Sequence, residues 1–148
     1  MKRIALLVST AVLIPVLACD GTLALTRVPA AEAQAFAEQV EGMVEDTLQG
    51  YNDHDYAAYT QHFDEAMHEA STEETFESVY TLLHDRLGSY ESRELDYAFD
   101  QNEFRIVIYR AEFEHESGVI IRAVFWRDDP ERGISGLWFD SERLRADQ

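Results

Sequence analysis

The side chains in this sequence that could move a proton or polarise a bond are mostly histidines and tyrosines. There are five of the first and seven of the second in 148 residues. Six of them fall where an apolar interior would hold them: Tyr59, His62, Tyr80, His84, Tyr97 and Tyr109. In such a cavity a histidine can act as a general base and a tyrosine can polarise a carbonyl. Tyr80 and His84 stand at i and i+4, so on a helix they share one flank. The plainer reading of both is an apolar body on the helix edge with its polar tip in water. The residue types favour that reading. No aspartate or glutamate falls on an inward strand position, so the pattern lacks a carboxylate base, and no catalytic residue is assigned.

Metal chemistry fares no better. His54, His62 and His68 are spaced by eight and six residues, which is neither the helical His-x-x-x-His spacing nor a Cys/His knuckle. Asp53, His54 and Asp55 could grip a cation, but a helix-capping turn accounts for them more simply. There is no Gly-rich phosphate loop and no nucleophile elbow, so neither metal nor cofactor is expected. Trp126 and Trp138 read as packing residues of a core or a subunit face before they read as a stacking platform.

The net charge of −17 sets further bounds. Lys2 is the only lysine. Such a surface repels nucleic acid. It also repels anionic lipid, so any membrane attachment must be covalent or through an inserted segment.

A route to attachment stands at the N-terminus. Lys2 and Arg3 precede an apolar run over residues 4–18, too short for the ~20 residues of a spanning helix. It reads as a secretory signal. The run ends Val16-Leu17-Ala18-Cys19, which resembles the lipobox of prokaryotic lipoproteins, with Val16 and Leu17 departing from the commonest residues there. The resemblance implies cleavage before Cys19 and lipidation of its thiol, the only one in the chain. Each buried CH₂ contributes about 0.8 kcal/mol, so several acyl chains, palmitate among them, hold a soluble domain on a bilayer. The expected organisation is a signal over residues 1–18, a lipidated cysteine and tether over 19–30, and one domain over 31–148. The expected location is the extracytoplasmic face of the cell membrane. For a Gram-negative source, Asp20 implies retention at the periplasmic side of the inner membrane. The ten tether residues 21–30 reach about 30–35 Å when extended.

The elements that must position the candidates follow from periodicity. Phe36, Val40, Met43, Val44, Thr47, Leu48 and Tyr51 predict a long amphipathic helix over about residues 31–51, with Pro29 near its start. Asp53 or Asp55 caps a second helix bearing Tyr56, Tyr59 and Phe63. Residues 64–70 are irregular or one short helical turn. Ser71-Thr-Glu-Glu74 reads as a capping box opening a helix with Phe76, Val79, Tyr80, Leu83 and Leu87 inside and Gly88 as its stop. The period then changes to two. Strands are predicted around residues 95–99 and over 104–113, 119–127 and 134–139. Ile106 and Ile108 oppose Val107, Tyr109 and Phe113; Ile121 and Phe125 oppose Ile120, Val124 and Trp126; Trp138 opposes Leu137 and Phe139. Both sheet faces are therefore largely apolar. Helices can cover one; a second copy of the chain is a natural cover for the other.

The order of elements, the junction Tyr51-Asn-Asp-His-Asp-Tyr-Ala-Ala-Tyr59 and the stretches Leu82-Leu-His-Asp-Arg-Leu-Gly-Ser-Tyr90, Ile106-Val-Ile-Tyr-Arg-Ala-Glu-Phe113 and Ile134-Ser-Gly-Leu-Trp-Phe139 resemble the nuclear transport factor 2-like superfamily. Within it, they are similar to an uncharacterised branch of small secreted or lipid-anchored proteins. The resemblance covers roughly residues 32–140. It implies an α+β cone, with N-terminal helices packed on a curved four-stranded antiparallel sheet. It implies no single function. The sequence favours a non-catalytic module that binds a small apolar ligand or a protein partner at the membrane. The alternatives are a small isomerase or lyase using His62 or His84 with tyrosines, and a structural subunit of an envelope complex.

Overall fold

A computed structural model describes residues 25–146, so Cys19 and its flanking signal lie outside the described residues. Helix α1, Ala30–Asn52, buries Phe36, Ala37, Val40, Val44, Thr47, Leu48 and Tyr51 at steps of three and four. Pro29 precedes it with an extended backbone. At its far end Gly50 lets the backbone of the next helix come close: a Cβ there would fall 2.7 Å from the Ala58 carbonyl carbon and 2.8 Å from the Tyr59 Cα.

Three shorter helices follow. In α2, Tyr56–Thr60, the Asp55 carboxylate accepts from the Ala58 N–H. In α3, Glu65–Ala70, Asp64 accepts from Met67. Helix α4, Glu73–Leu87, is capped by the Thr72 hydroxyl, which accepts from the Thr75 N–H. The expected cap, Ser71, is displaced by one residue because it already closes α3, and its carbonyl accepts from the Tyr56 hydroxyl at 2.7 Å. Gly88, at φ 75°, ends α4 in a conformation that side chains rarely adopt.

The rest is an open antiparallel sheet in sequential order. Its main strands are β2, Tyr90–Gln101, β3, Phe104–Phe113, β4, Glu116–Trp126, and β5, Ile134–Asp140. A further strand, β1, Thr26–Arg27, pairs with Asp100 and Phe99 of β2. The sheet thus has five strands, not the expected four. Two residues within the segment read as tether are too few to show a period. Strand β2 also starts five residues before the alternation that predicted it. Its first residue is held by Asn52, whose side chain donates to the Tyr90 carbonyl and accepts from the Tyr90 N–H, both at 2.8 Å. A short helix α5, Glu142–Arg145, closes the chain under a Ser141 cap.

Helix α1 lies on the face formed by Val107, Tyr109, Ala111 and Phe113 of β3 and Val119, Ile121, Ala123 and Phe125 of β4. Fully burying a side chain such as Phe125 contributes about 2–3 kcal/mol. Arg105 ties the start of α1 to the sheet: it donates to both Asp100 oxygens, at 2.7 and 2.9 Å, and to Glu32 at 2.6 Å. Those hydrogen bonds, Asp100 foremost, raise its pKa against the opposing effect of burial. The buried side chains of the cores lie between Val28 and Ile134, so a chain beginning at residue 22 contains them all.

Candidate functional site

The six sequence candidates do not share a cavity. Tyr59 is a core ring packed on Phe63 and Phe76, with centroids 5.3 and 5.0 Å away. Burial pushes its phenol up to about 12. His62 lies at the surface, its Nε2 2.8 Å from Asp46 of α1. Tyr109 faces α1 in the core, with the Arg93 guanidinium over its ring, and burial pushes its phenol up to about 12. Tyr97 is on the opposite side of the sheet, under the Arg27 guanidinium at 4.5 Å.

Only Tyr80 and His84 come together, and they do so with His54. The three rings form a column, His54 on Tyr80 at 3.7 Å and Tyr80 on His84 at 5.2 Å. His54 sits at φ 53°, and its Nε2 meets both Glu77 oxygens at 2.9–3.0 Å. The column is the snorkelling arrangement on a helix edge, extended by one ring from the α1–α2 turn.

Two polar clusters escaped the sequence reading because their members are far apart in the chain. In the first, Tyr90 donates to Glu45 at 3.1 Å, and Arg93 donates to Glu45 and to the Tyr90 hydroxyl. This sets a carboxylate beside a phenol, the pairing a proton-transfer site would need. The charges are nevertheless locked. Burial pushes Glu45 up, but hydrogen bonds from Gln49, Arg93 and Tyr90 and the Arg93 charge outweigh it and lower its pKa. Burial raises the Tyr90 pKa. A weakened base beside a weakened acid makes a cross-link between α1 and β2 rather than a proton relay.

In the second cluster the buried Asp64 accepts from Ser135 at 2.6 Å and from the Trp126 indole at 3.3 Å. No histidine reaches Ser135, since the nearby His62 is engaged by Asp46. Burial again raises this carboxyl, and the hydrogen bonds from Ser135, Met67 and Trp126 with the Arg132 charge win, leaving it below its ordinary 3.8. A lowered folded-state pKa adds stability that is complete above 3.8 and fades as the pH falls through the lower folded value. Asp64→Asn is therefore expected to cost about 1–3 kcal/mol at neutral pH. Urea melts should show that deficit shrinking once the pH drops below the ordinary carboxyl range. A deficit constant with pH would mean that the charge contributes nothing.

The remaining candidate is the sheet face turned away from the helices. Register places its side chains in rows. Tyr97, Ile108, Arg122 and Trp138 form one, and Phe99, Ile106, Val124 and Gly136 the next. Phe104 and Trp126 pair beyond them, ring centroids 4.7 Å apart. Gly136 is there for space: a Cβ would collide with the six-membered ring of Trp138, which lies across it. Trp138 is still 56% exposed and Leu25, at the β1 edge, 61%. Between these side chains runs a groove of about 690 Å³, lined by Phe99, Phe104, Ile106, Arg122, Val124 and Trp138 among others. Its size is that of a small-molecule site. Among the described residues, no three His, Cys, Asp or Glu side chains converge as a metal site, and no helix is long and apolar enough to cross a membrane.

A family model described as "Protein of unknown function (DUF3887)" matches residues 44–137. The match spans the C-terminal end of α1, α2–α4 and nearly all of the four long strands. No curated protein and no solved structure matches the chain.

Proposed function

The chain belongs to the DUF3887 family, a family of unknown function, and we propose that it is a non-catalytic binding module that works through its open sheet face. The observation that carries this reading is Trp138, an exposed indole laid over a glycine on a face whose apolar residues include Tyr97, Phe99, Phe104, Ile106 and Ile108. Large aromatic groups left in water without cover mark a surface that gains free energy when something apolar covers it. The face also has what a pocket needs, an apolar lining with few polar groups. The reading includes the resemblance to the nuclear transport factor 2-like cones and a lipid anchor at Cys19 on the extracytoplasmic side of the membrane. Only six positions of sequence separate Cys19 from Leu25, which stands at the edge of this face, and that supports placing the face close to the bilayer.

Native mass spectrometry of a chain beginning at residue 22, purified gently from its original host, tests the reading. The expected species carries extra mass of a small apolar ligand, and Trp138→Ala lowers its occupancy about fivefold or more. A dimer without added mass would assign the face to a second copy of the chain instead. A bare monomer would remove the small-ligand reading.

A further inference from the structure

Arg122 differs from the five arginines that pair with carboxylates. With 29 acidic residues against 12 basic ones, guanidinium groups in this chain have carboxylates to choose from. Arg93 takes Glu41 and Glu45, Arg105 takes Glu32 and Asp100, and Arg110 takes Asp96. Arg127 takes Asp128 and Arg145 takes Asp140. Arg122 projects from β4 on the open face, between Ile108 of β3 and Trp138 of β5, with no hydrogen bond, ion pair or ring partner among the described residues. It lines both the large groove and a neighbouring one of about 370 Å³ toward Leu25 and Tyr97. Asp140, at the rim of the large groove, is already engaged by Arg145 at 2.9 Å and leaves the Arg122 charge uncompensated.

We propose that Arg122 makes this face a site for a free single-chain amphiphile ending in a carboxylate, a fatty acid in chemical class. The proposal rests on the reading of the open face as a binding surface. The guanidinium takes the carboxylate in its planar fork. The hydrocarbon chain then runs over Trp138, Ile106, Phe99 and Phe104. The charge of the whole protein sharpens the choice. A net −17 repels anions, so an inorganic anion has little to gain here. An anion that also buries a long apolar chain offsets the repulsion. A neutral amphiphile gains the burial but leaves Arg122 unpaired beneath it, at a desolvation cost.

The test titrates the chain from residue 22 with decanoate and with 1-decanol, both below their aggregation concentrations, following tryptophan emission and heat. Decanoate is expected to saturate, and decanol to bind about tenfold more weakly. Arg122→Gln should weaken decanoate about tenfold and leave decanol unchanged. Arg122→Lys should recover part of the loss, and unchanged melting temperatures exclude a folding defect. Equal binding of the two probes, or decanoate binding indifferent to Arg122→Gln, overturns the role of Arg122 while the face remains a binding surface. No binding of either probe overturns the role of Arg122 together with the small-ligand reading of the face. Binding of phosphatidylglycerol vesicles without decanoate binding would overturn the proposal in favour of a bilayer-docking face.

Discussion

Gly50→Ala is expected to lower the stability of the domain by about 2–3 kcal/mol, and its melting temperature by roughly 10 °C. The substitution puts a methyl group where the backbone of α2 passes, within 3 Å of Ala58 and Tyr59 atoms. Backbone cannot rotate away as a side chain would, so either α1 and α2 part or both bend. Parting them would loosen Tyr51 and Tyr59, both in the main core. Gly42 provides the control. It lies in the same helix, and a Cβ there meets nothing within 4 Å. Gly42→Ala should gain about 0.5–1 kcal/mol by helix propensity alone. Opposite signs for two identical changes in one helix would isolate the steric cause. Two gains in thermal melts would show that α2 yields at no cost.

Cys19→Ser is the second large effect. If the thiol carries the anchor, the variant should leave the membrane fraction almost wholly or stay unprocessed at the signal. The intact mass of the native protein should exceed that of the bare chain by a diacylglyceryl group and further acyl chains. The scale follows from burial of about 0.8 kcal/mol per CH₂, so loss of several chains removes far more than any residual surface contact restores. The acidic surface cannot substitute for the anchor, being repelled by the same headgroups. Undiminished membrane retention of the variant, together with an unmodified mass at Cys19 in the native protein, would refute the anchor.

The long elements were legible because their signals are repeated. Helix α1 shows its stripe over six turns, and β3 and β4 are largely apolar runs of 10 and 11 residues bounded by turns. The two-faced apolar pattern of β3–β5 fits an open sheet that, among the described residues, carries its helices on one face. What failed was short or non-local. Strand β1 exists only because β2 offers it partners more than seventy positions away. The cap at Thr72 rather than Ser71 depends on how α3 happens to end. Among the candidate residues, spacing recovered Tyr80 and His84 but not His54, which joins them from a turn. The pocket expected around the six did not form because Tyr59 and Tyr109 fill the core while Tyr97 faces away from it. Arg122 passed unremarked because its significance is that no described residue pairs with it, and that is visible only in three dimensions. Gly136 matters for the same kind of reason, through the indole lying over it.

The order in which the strands pair also bears on how the chain comes together in time. Strands β3 to β5 each meet the strand just before them, across short connections, so those hairpins can form without waiting for distant chain. Strand β1 is different. Its two residues join β2 only after the loop containing four helices has been closed. That closure carries a large entropic cost for a very small set of hydrogen bonds, with the Val28 N–H to the Ala98 carbonyl, at 3.0 Å, among them. The N-terminal edge of the sheet is thus the last seam to close on folding. It is also the first to open when thermal agitation, or a pull on the N-terminus, loads the chain at Leu25.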